Sequence, residues 1–146
     1  MEPKAGLVIR YDFLWRREHA VGAEHGSKDR PSAVVMVVRA KEDGRRRVVV
    51  CPITHTPPAG GQSAVEIPTK LARHLGLDDQ KMWIKTDAVN LLDWEVGKIP
   101  FGVSPASQRQ WAFGMLPKQI GEKMFAQVLE NVCNKSLQQI RRDGPE

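Results

Sequence analysis

The sequence has few cysteines and no long apolar run. Only two cysteines are present, Cys51 and Cys133, whereas small secreted domains that depend on disulfides carry several pairs. We interpret both as buried thiols of a cytosolic protein. No apolar stretch reaches the roughly 18 residues of a membrane-spanning helix, and the first residues lack the apolar block of a signal peptide. The sequence therefore predicts a cytoplasmic protein with no membrane partner.

Motifs for metals and nucleotide cofactors are also missing. The histidines, His19, His25, His55 and His74, form no HxxxH or HExxH pair, and no CxxC occurs. The phosphate-binding loops GxxxxGK[ST] and GxGxxG and the nucleophile motif GxSxG are absent as well. We therefore expect no metal and no cofactor.

The composition predicts one folded domain spanning residues 1–146. The chain is 41% hydrophobic, contains four tryptophans and is 27% charged, which suits an ordinary core and surface. Lysine and arginine number 22 against 17 acids, for a net charge of +5. This modest excess is compatible with a polyanionic partner but does not by itself identify one.

Alternating and β-branched segments predict a mainly β fold with appended helices. Residues 7–14 resemble a first strand, and a central antiparallel hairpin is predicted from SAVVMVVRA and RRRVVVCPI around the turn pair Asp43-Gly44. The continuous apolar runs indicate strands buried on both faces or covered by a helix. A strand in AVEI, a short helix in PTKLARHLGL and a strand in KMWIKTDAV follow. Such a set is typical of a half-open barrel.

Three further segments complete the chain. Residues 15–31 are charged and aperiodic, which predicts a long polar loop. Residues 95–116 contain several prolines and glycines and are predicted to be an irregular insert. Residues 117–142 are predicted to form a long C-terminal helix that covers the barrel or a second subunit. Its apolar stripe consists of Ile120, Met124, Val128 and Val132, with Phe125, Leu129, Cys133, Leu137 and Ile140 beside it.

Two short segments are candidates for chemistry, GSKDRP before the hairpin and PITHT after it. In an antiparallel hairpin, the residues just before the first strand and just after the second lie at the same end. Arg30 and Thr54 should therefore lie close together. Both also have structural explanations, because an arginine before proline is often solvated and a threonine after a strand often stabilises a turn.

This pair has a chemical use on a phosphodiester. Arg30 can offer a guanidinium fork to phosphate oxygens and Thr54 a hydroxyl, with Ser27, Lys28 and His55 as further donors. If the substrate is RNA, its own 2′-hydroxyl can attack the phosphorus, so the protein needs neither a nucleophile nor a metal. For His55 alone, a turn or surface role remains the better interpretation.

At these residues the sequence resembles the MazF and PemK family of bacterial toxin endoribonucleases. The matching stretches are GLVIRYDFLW, KDRPSAVVMVV with its Arg-Pro, and VVVCPITHT with its Pro-x-Thr. Weaker likeness continues through WIKTDAVNLLD and GMLPKQIGEKMFAQVLENV, and the PemK-like branch is the closest. The resemblance implies an SH3-like half-open barrel of the type shared with the CcdB gyrase poison. It also implies a homodimer that cleaves single-stranded RNA without a metal and is neutralised by an antitoxin.

The resemblance also implies roles for individual residues. Arg30 matches the catalytic arginine of the family and Thr54 its catalytic threonine. Asp87 resembles an aspartate near the RNA, and Lys85 stands where some members have a second arginine, whose bidentate fork lysine cannot supply.

The loop before the hairpin is also implied to take part. Glu24 or His25 could take the place of the acid or histidine that relatives carry there, and the sequence leaves both open as the general base. Ser27, Lys28 and His25, together with Lys85 and Asp87, are expected to contact the substrate.

The main hypothesis is therefore a type II toxin, an endoribonuclease that cleaves single-stranded mRNA through a 2′,3′-cyclic phosphate. The alternative is a non-catalytic binding module on the same barrel, either gyrase-inhibitor-like or a binder of RNA or protein. A metabolic enzyme is a third possibility, for which no cofactor motif is present.

Overall fold

The chain is mainly β in residues 2–39, 45–95 and 97–142, which are the residues that the computed structural model describes. These residues form nine strands and three helices. The strands are β1 (Leu7–Tyr11), β2 (Arg30–Arg39), β3 (Arg46–Thr54), β4 (Ala64–Ile67), β5 (Met82–Lys85), β6 (Ala88–Trp94), β7 (Val103–Ser104), β8 (Ala112–Met115) and β9 (Gln138–Arg142). The helices are α1 (Arg16–Ala20), α2 (Thr69–His74) and α3 (Lys118–Cys133).

The described strands belong to one hydrogen-bonded sheet. Its main path runs β4-β5-β3-β2-β1-β7, while β8 also pairs with β1 and β6 pairs with both β3 and β9. All of these pairings are antiparallel except that of β6 with β9. No pairing among the described strands joins the two ends of the path, so the sheet is not a closed barrel.

The predicted central hairpin is confirmed. β2 and β3 pair antiparallel from Ser32 opposite Pro52 to Arg39 opposite Arg46. The predicted turn at Asp43-Gly44 lies outside the described residues. The hairpin therefore provides a long frame with both strand ends well defined near Arg30 and Thr54.

The central strands are buried on both faces, as their continuous apolar runs predict. Ala33 and Cys51 face one core cluster, to which Met124 of α3 contributes. Val34 and Val50 face a second cluster on the other side of the sheet. Burial on both faces removes the usual alternation of polar and apolar residues, which explains the VVV runs in both strands.

The Cys51 thiol makes stability depend on pH. Its full burial raises its pKa, and the charge of Asp87 adds to this effect. Above the ordinary thiol pKa of about 8.5 the unfolded state loses a proton that the folded state keeps. The contribution of this thiol to the free energy of unfolding is therefore at its full value below that pH. Above that pH the free energy of unfolding falls by up to about 1.4 kcal/mol per pH unit.

We expect the urea midpoint of the protein to fall between about pH 8 and about pH 9.5. Cys51→Ala should flatten this decline, because it removes the buried titrating group. Cys133→Ala is the matched control, since Cys133 is exposed, and it should leave the decline unchanged. Equal declines in Cys51→Ala and the unsubstituted protein would contradict the assignment to Cys51.

Strand β3 changes its neighbour at Pro52. Residues Arg46–Val50 pair with β6, whereas Ile53 and Thr54 pair with β5. Proline has no N–H to donate to a neighbouring strand, so it fits a point where pairing on one side is interrupted. The sheet therefore divides between Val50 and Ile53, one residue before Thr54.

The middle of the chain follows the prediction with one change. AVEI forms β4 and the short helix forms α2, after which Gly76 adopts a φ of 72° that favours glycine. The predicted strand over residues 81–89 is instead divided by a turn at Thr86-Asp87 into β5 and β6.

The prediction that residues 15–31 form a loop throughout is wrong, because Arg16–Ala20 forms α1. The Glu18 carboxylate accepts a hydrogen bond from the Trp15 N–H at 3.0 Å, which satisfies one amide at the start of the helix. The helix buries none of its own residues. It therefore lacks the apolar period by which helices are recognised in a sequence.

The prediction that residues 95–116 are irregular is wrong in two places. Both β7 and β8 pair with β1, with Val103 opposite Tyr11 and Gly114 opposite Val8. Gly114 adopts a φ of 144°, and a Cβ there would lie 2.9 Å from the Leu75 side chain. The two strands have only two and four residues, too few for a recognisable period.

The predicted helix over residues 117–142 is wrong beyond Cys133. After α3 ends, Lys135 adopts a left-handed φ of 59°. The Gln138 N–H then donates to the Asp87 carbonyl at 2.9 Å, and β9 runs parallel to β6 with Ile140 buried. Pairing with a distant strand thus decides the conformation of these residues.

The apolar stripe of α3 covers the sheet only in part. Met124 and Val128 are buried, which confirms that the stripe packs on the core. Val132, at the end of the stripe, is exposed instead, as are Phe125 and Leu129 beside it. None of the helices in the described residues has both the length and the apolar character needed to cross a membrane.

Candidate active site

Arg30 and Thr54 lie at the same end of the β2–β3 hairpin. The ladder pairs Ser32 with Pro52, and continuing that register by two residues sets Arg30 opposite Thr54. On its other side Thr54 pairs with Trp83 of β5. Opposed residues project from the same face of a sheet. Arg30, Thr54 and Trp83 therefore form one row across three strands, which we call the cross-strand row.

The Arg30 guanidinium is half-buried and keeps an unused donor. Its Cζ lies 5.2 Å from the centroid of the Trp15 ring, and its buried Nε has no hydrogen-bond partner in the described chain. Burial lowers the pKa of Arg30, the Glu18 carboxylate opposes this, and the nearby Arg17 adds to it. A buried donor without a partner is costly. An anion that accepts from Arg30 would be favoured here.

Thr54 combines a turn contact with an available proton. Its Oγ1 accepts a hydrogen bond from the Thr56 N–H at 3.2 Å, the local role that threonines often have after a strand. The hydroxyl can still donate its own hydrogen. His55, by contrast, is tied to Asp78 with Nε2 at 2.7 Å from Oδ2, in keeping with a structural role at the turn.

A buried carboxylate orients the ring of His25. Nδ1 of His25 lies 2.7 Å from Oδ2 of Asp12, and the ring packs on Phe101 with centroids 4.8 Å apart. A proton on Nδ1 leaves Nε2 as a hydrogen-bond acceptor. The side chain remains 61% exposed, so the ring is both held in place and accessible.

Arg142 of β9 anchors Asp12 and the loop together. Nη1 donates to Oδ1 and to the carbonyl of Asp12, both at 2.7 Å, and Nη2 donates to the Glu24 carbonyl at 2.7 Å. Burial lowers the pKa of Arg142, but the hydrogen bond and charge of Asp12, together with Tyr11, outweigh it and raise the pKa. The last described strand thus fixes the loop that carries His25.

The other predicted loop residues lie at the surface. The side chains of Glu24, Ser27 and Lys28 are exposed. The Ser27 N–H donates to Glu18 Oε2 at 2.9 Å, while the other Glu18 oxygen accepts from Trp15. Glu18 is therefore occupied in bracing the loop although it lies near Arg30.

Lys85 and Asp87, for which the sequence predicts RNA contacts, interact with other parts of the chain. Lys85 is only 7% exposed, and its Nζ donates to Gln62 Oε1 at 2.6 Å. Asp87 acts on Cys51, whose pKa it raises, and within the described chain it makes no hydrogen bond or ion pair with the cross-strand row. Neither side chain joins Arg30 and Thr54 directly.

Metal ligands are not clustered in the described ranges. Within residues 2–39, 45–95 and 97–142, no three histidine, cysteine, aspartate or glutamate side chains are placed to hold a metal ion. Cys51 is buried, as predicted, and the two cysteines are not bonded to each other. The prediction that Cys133 is also buried is wrong, because the last residue of α3 lies exposed.

Comparisons of the chain with protein-family models, with curated proteins and with solved structures found no match. The likeness to the MazF and PemK toxins therefore rests on the short motifs around Arg30 and Thr54.

Several residues that build the site were not predicted from the sequence. Besides Asp12, Glu18 and Arg142, Asn90 holds the chain before Trp15: its amide accepts from the Leu14 N–H and donates to the Leu14 carbonyl, both at 2.9 Å. An asparagine inside the apolar strand AVNLLDW is a signal that could have pointed to such a role. For Arg142, 130 residues from Asp12, the sequence offers no local signal.

Proposed function

We propose that this chain is a metal-independent endoribonuclease of the MazF and PemK type that cleaves single-stranded RNA. The observation that carries the proposal is the alignment of Arg30 and Thr54 at one end of the hairpin. A half-buried guanidinium with an unused N–H, at the same strand ends as a hydroxyl, suits two oxygens of one phosphodiester.

In this reaction the RNA supplies its own nucleophile. The 2′-oxygen forms a bond to phosphorus while the bond from phosphorus to the 5′-oxygen breaks. The products are a 2′,3′-cyclic phosphate and a 5′-hydroxyl. A base takes the proton of the 2′-hydroxyl, and the departing 5′-oxygen receives a proton. The protein has to position the phosphate, stabilise its added negative charge and move these protons.

The described residues can share these tasks. Arg30 stabilises the charged phosphorane or donates to the leaving oxygen, and Thr54 positions the phosphate. His25 is the better candidate for the base, because Asp12 orients its ring at 2.7 Å. Glu24, the other candidate, has an exposed carboxylate, and its one hydrogen bond to a described side chain is made by its carbonyl.

The fold that this proposal requires is an SH3-like half-open barrel that acts as a homodimer. The division of the sheet at Pro52 supports an open rather than a closed arrangement. The exposed Phe125, Leu129 and Val132 of α3 are candidates for the contact with a second copy. A toxin acting on mRNA works in the cytoplasm and is held inactive there by a cognate antitoxin.

The chemical ends of the products test the proposal. We expect the purified protein, incubated in EDTA with long single-stranded RNA, to give fragments with 2′,3′-cyclic phosphate and 5′-hydroxyl ends. DNA of the same sequence should stay intact, because it lacks the attacking group. Mass spectrometry distinguishes the ends. Fragments with 5′-phosphates, or cleavage only with a divalent ion, would contradict the mechanism.

A binding module on the same barrel is the second candidate function. The buried, hydrogen-bonded Lys85 favours it, because a cation expected at the RNA is engaged elsewhere. Retention of RNA without cleavage would support an RNA-binding module. Inhibition of supercoiling by gyrase would support a gyrase-type inhibitor, since an endoribonuclease should leave that reaction unchanged.

A further inference from the structure

A shallow groove lies between α1 and β9, next to the cross-strand row. Its volume is about 320 Å³, and it is lined by Trp15, Arg16, Arg17, Ala20 and Gln138. Trp15 joins the groove to the row, because the Arg30 guanidinium lies over the same indole ring. The groove and Arg30 of the proposed cleavage site therefore share the Trp15 ring.

Positive charge in and beside this groove exceeds the nearby negative charge. The Cζ of Arg17 lies 5.4 Å from the Trp15 ring centroid, and that of Arg30 lies 5.2 Å from it. Glu18 is the one acid of α1 and its charge acts on Arg30, but it is outnumbered by the charges of Arg16, Arg17 and Arg30. Arg16 and Arg17 are exposed, and neither forms an ion pair in the part of the chain that the structure describes. Two like charges at one indole favour an anionic ligand.

We propose that this groove binds a nucleotide of single-stranded RNA next to the scissile phosphate. Arg16 and Arg17 contact backbone phosphates. Trp15 and the Arg30 guanidinium that lies over its ring form a surface against which a base can stack. An aromatic ring combined with arginines fits a nucleotide better than an acidic peptide, which would use the charges but not the ring. The identity of the ligand rests on the proposed function, whereas its binding can be measured without cleavage.

Salt dependence of binding tests the groove. The probe is a fluorescent single-stranded oligonucleotide of mixed sequence with 2′-O-methyl ribose, which cannot be cleaved by the proposed mechanism. Its affinity is measured by anisotropy at several salt concentrations. Each phosphate contact contributes about 0.7 to the slope of log K against log salt for a single strand. We expect the double variant Arg16→Gln/Arg17→Gln to bind more weakly and to flatten this slope by about 1.4.

Arg109→Gln is the matched control, because Arg109 is an exposed arginine away from the groove and its loss should leave the slope unchanged. An unchanged slope in the double variant, or an equal change in Arg109→Gln, would overturn the proposal. So would a poly-glutamate peptide that alone shows the dependence on Arg16 and Arg17. Cleavage of ordinary RNA is measured separately. Cleavage with an unchanged slope refutes only the groove, whereas a flattened slope without any cleavage supports the groove and refutes the endoribonuclease.

Discussion

Replacing Arg30 by alanine is expected to lower kcat/KM for RNA cleavage by about 10²- to 10³-fold, the usual effect of removing one donor to a charged transition state. The reason is local, since Arg30 brings a half-buried guanidinium whose Nε has no partner in the described chain. Initial rates with end-labelled RNA in EDTA measure the loss. Because the guanidinium also lies over Trp15, circular dichroism and urea unfolding should accompany the kinetics.

Two further variants make this result specific. Arg30→Lys keeps the charge but loses the planar fork, so it should restore part of the rate and not all of it. Arg109→Ala removes one exposed arginine elsewhere and should cleave at the normal rate. A folded Arg30→Ala protein with full activity would show that the guanidinium takes no part in the reaction, and the site would then have to be sought outside the cross-strand row.

The part of the site that could be predicted from the sequence follows from short-range rules. Two β-branched runs around an Asp-Gly pair predict an antiparallel hairpin, and antiparallel pairing alone puts Arg30 and Thr54 at one end. The register from Ser32 opposite Pro52 onward agrees with this geometry. No knowledge of the rest of the chain is needed for that step.

The surroundings of the site depend on contacts that are distant in sequence. Helix α1 buries none of its residues and is held by Glu18, so no periodic pattern reveals it. Strand β9 forms because residues 138–142 pair with β6, although their sequence continues the polar pattern of a helix. Lys85 was predicted to face the substrate, but its partner Gln62 comes from a loop 23 residues away.

The distribution of charge shows the same limit. The arginines of β3 could be interpreted as an RNA-binding edge, yet Arg47 lies opposite Asp93 in the β3–β6 ladder, with Nε 3.6 Å from Oδ1. Arg45, just before β3, has its Nε 3.6 Å from Oε1 of Glu95. Cross-strand pairing thus neutralises part of this basic run, whereas the arginines of α1 keep their charge exposed. Which arginines can attract a polyanion therefore depends on the strand pairing, and the sequence alone does not identify them.

Replacing Arg142 by alanine is expected to lower the free energy of unfolding by about 3–5 kcal/mol, the effect of breaking a buried ion pair from one side. Arg142 is 5% exposed. Its loss would leave the Asp12 carboxylate, 9% exposed, without its two-pronged partner and the Glu24 carbonyl without a donor. Urea unfolding at neutral pH measures the change.

The surface pair of Arg73 and Asp79 is the control for this prediction. Their side chains are 64% and 92% exposed at 3.8 Å, so Arg73→Ala should cost less than about 1 kcal/mol. Because the Arg142 contacts hold the loop that carries His25, Arg142→Ala should also reduce RNA cleavage in protein that is still folded. An Arg142 variant no less stable than Arg73→Ala would mean that the loop is fixed by Asn90 and Glu18 alone. We therefore expect the free energy of unfolding and the cleavage rate of Arg142→Ala to fall together, because one guanidinium of β9 binds both the buried Asp12 carboxylate and the loop at Glu24.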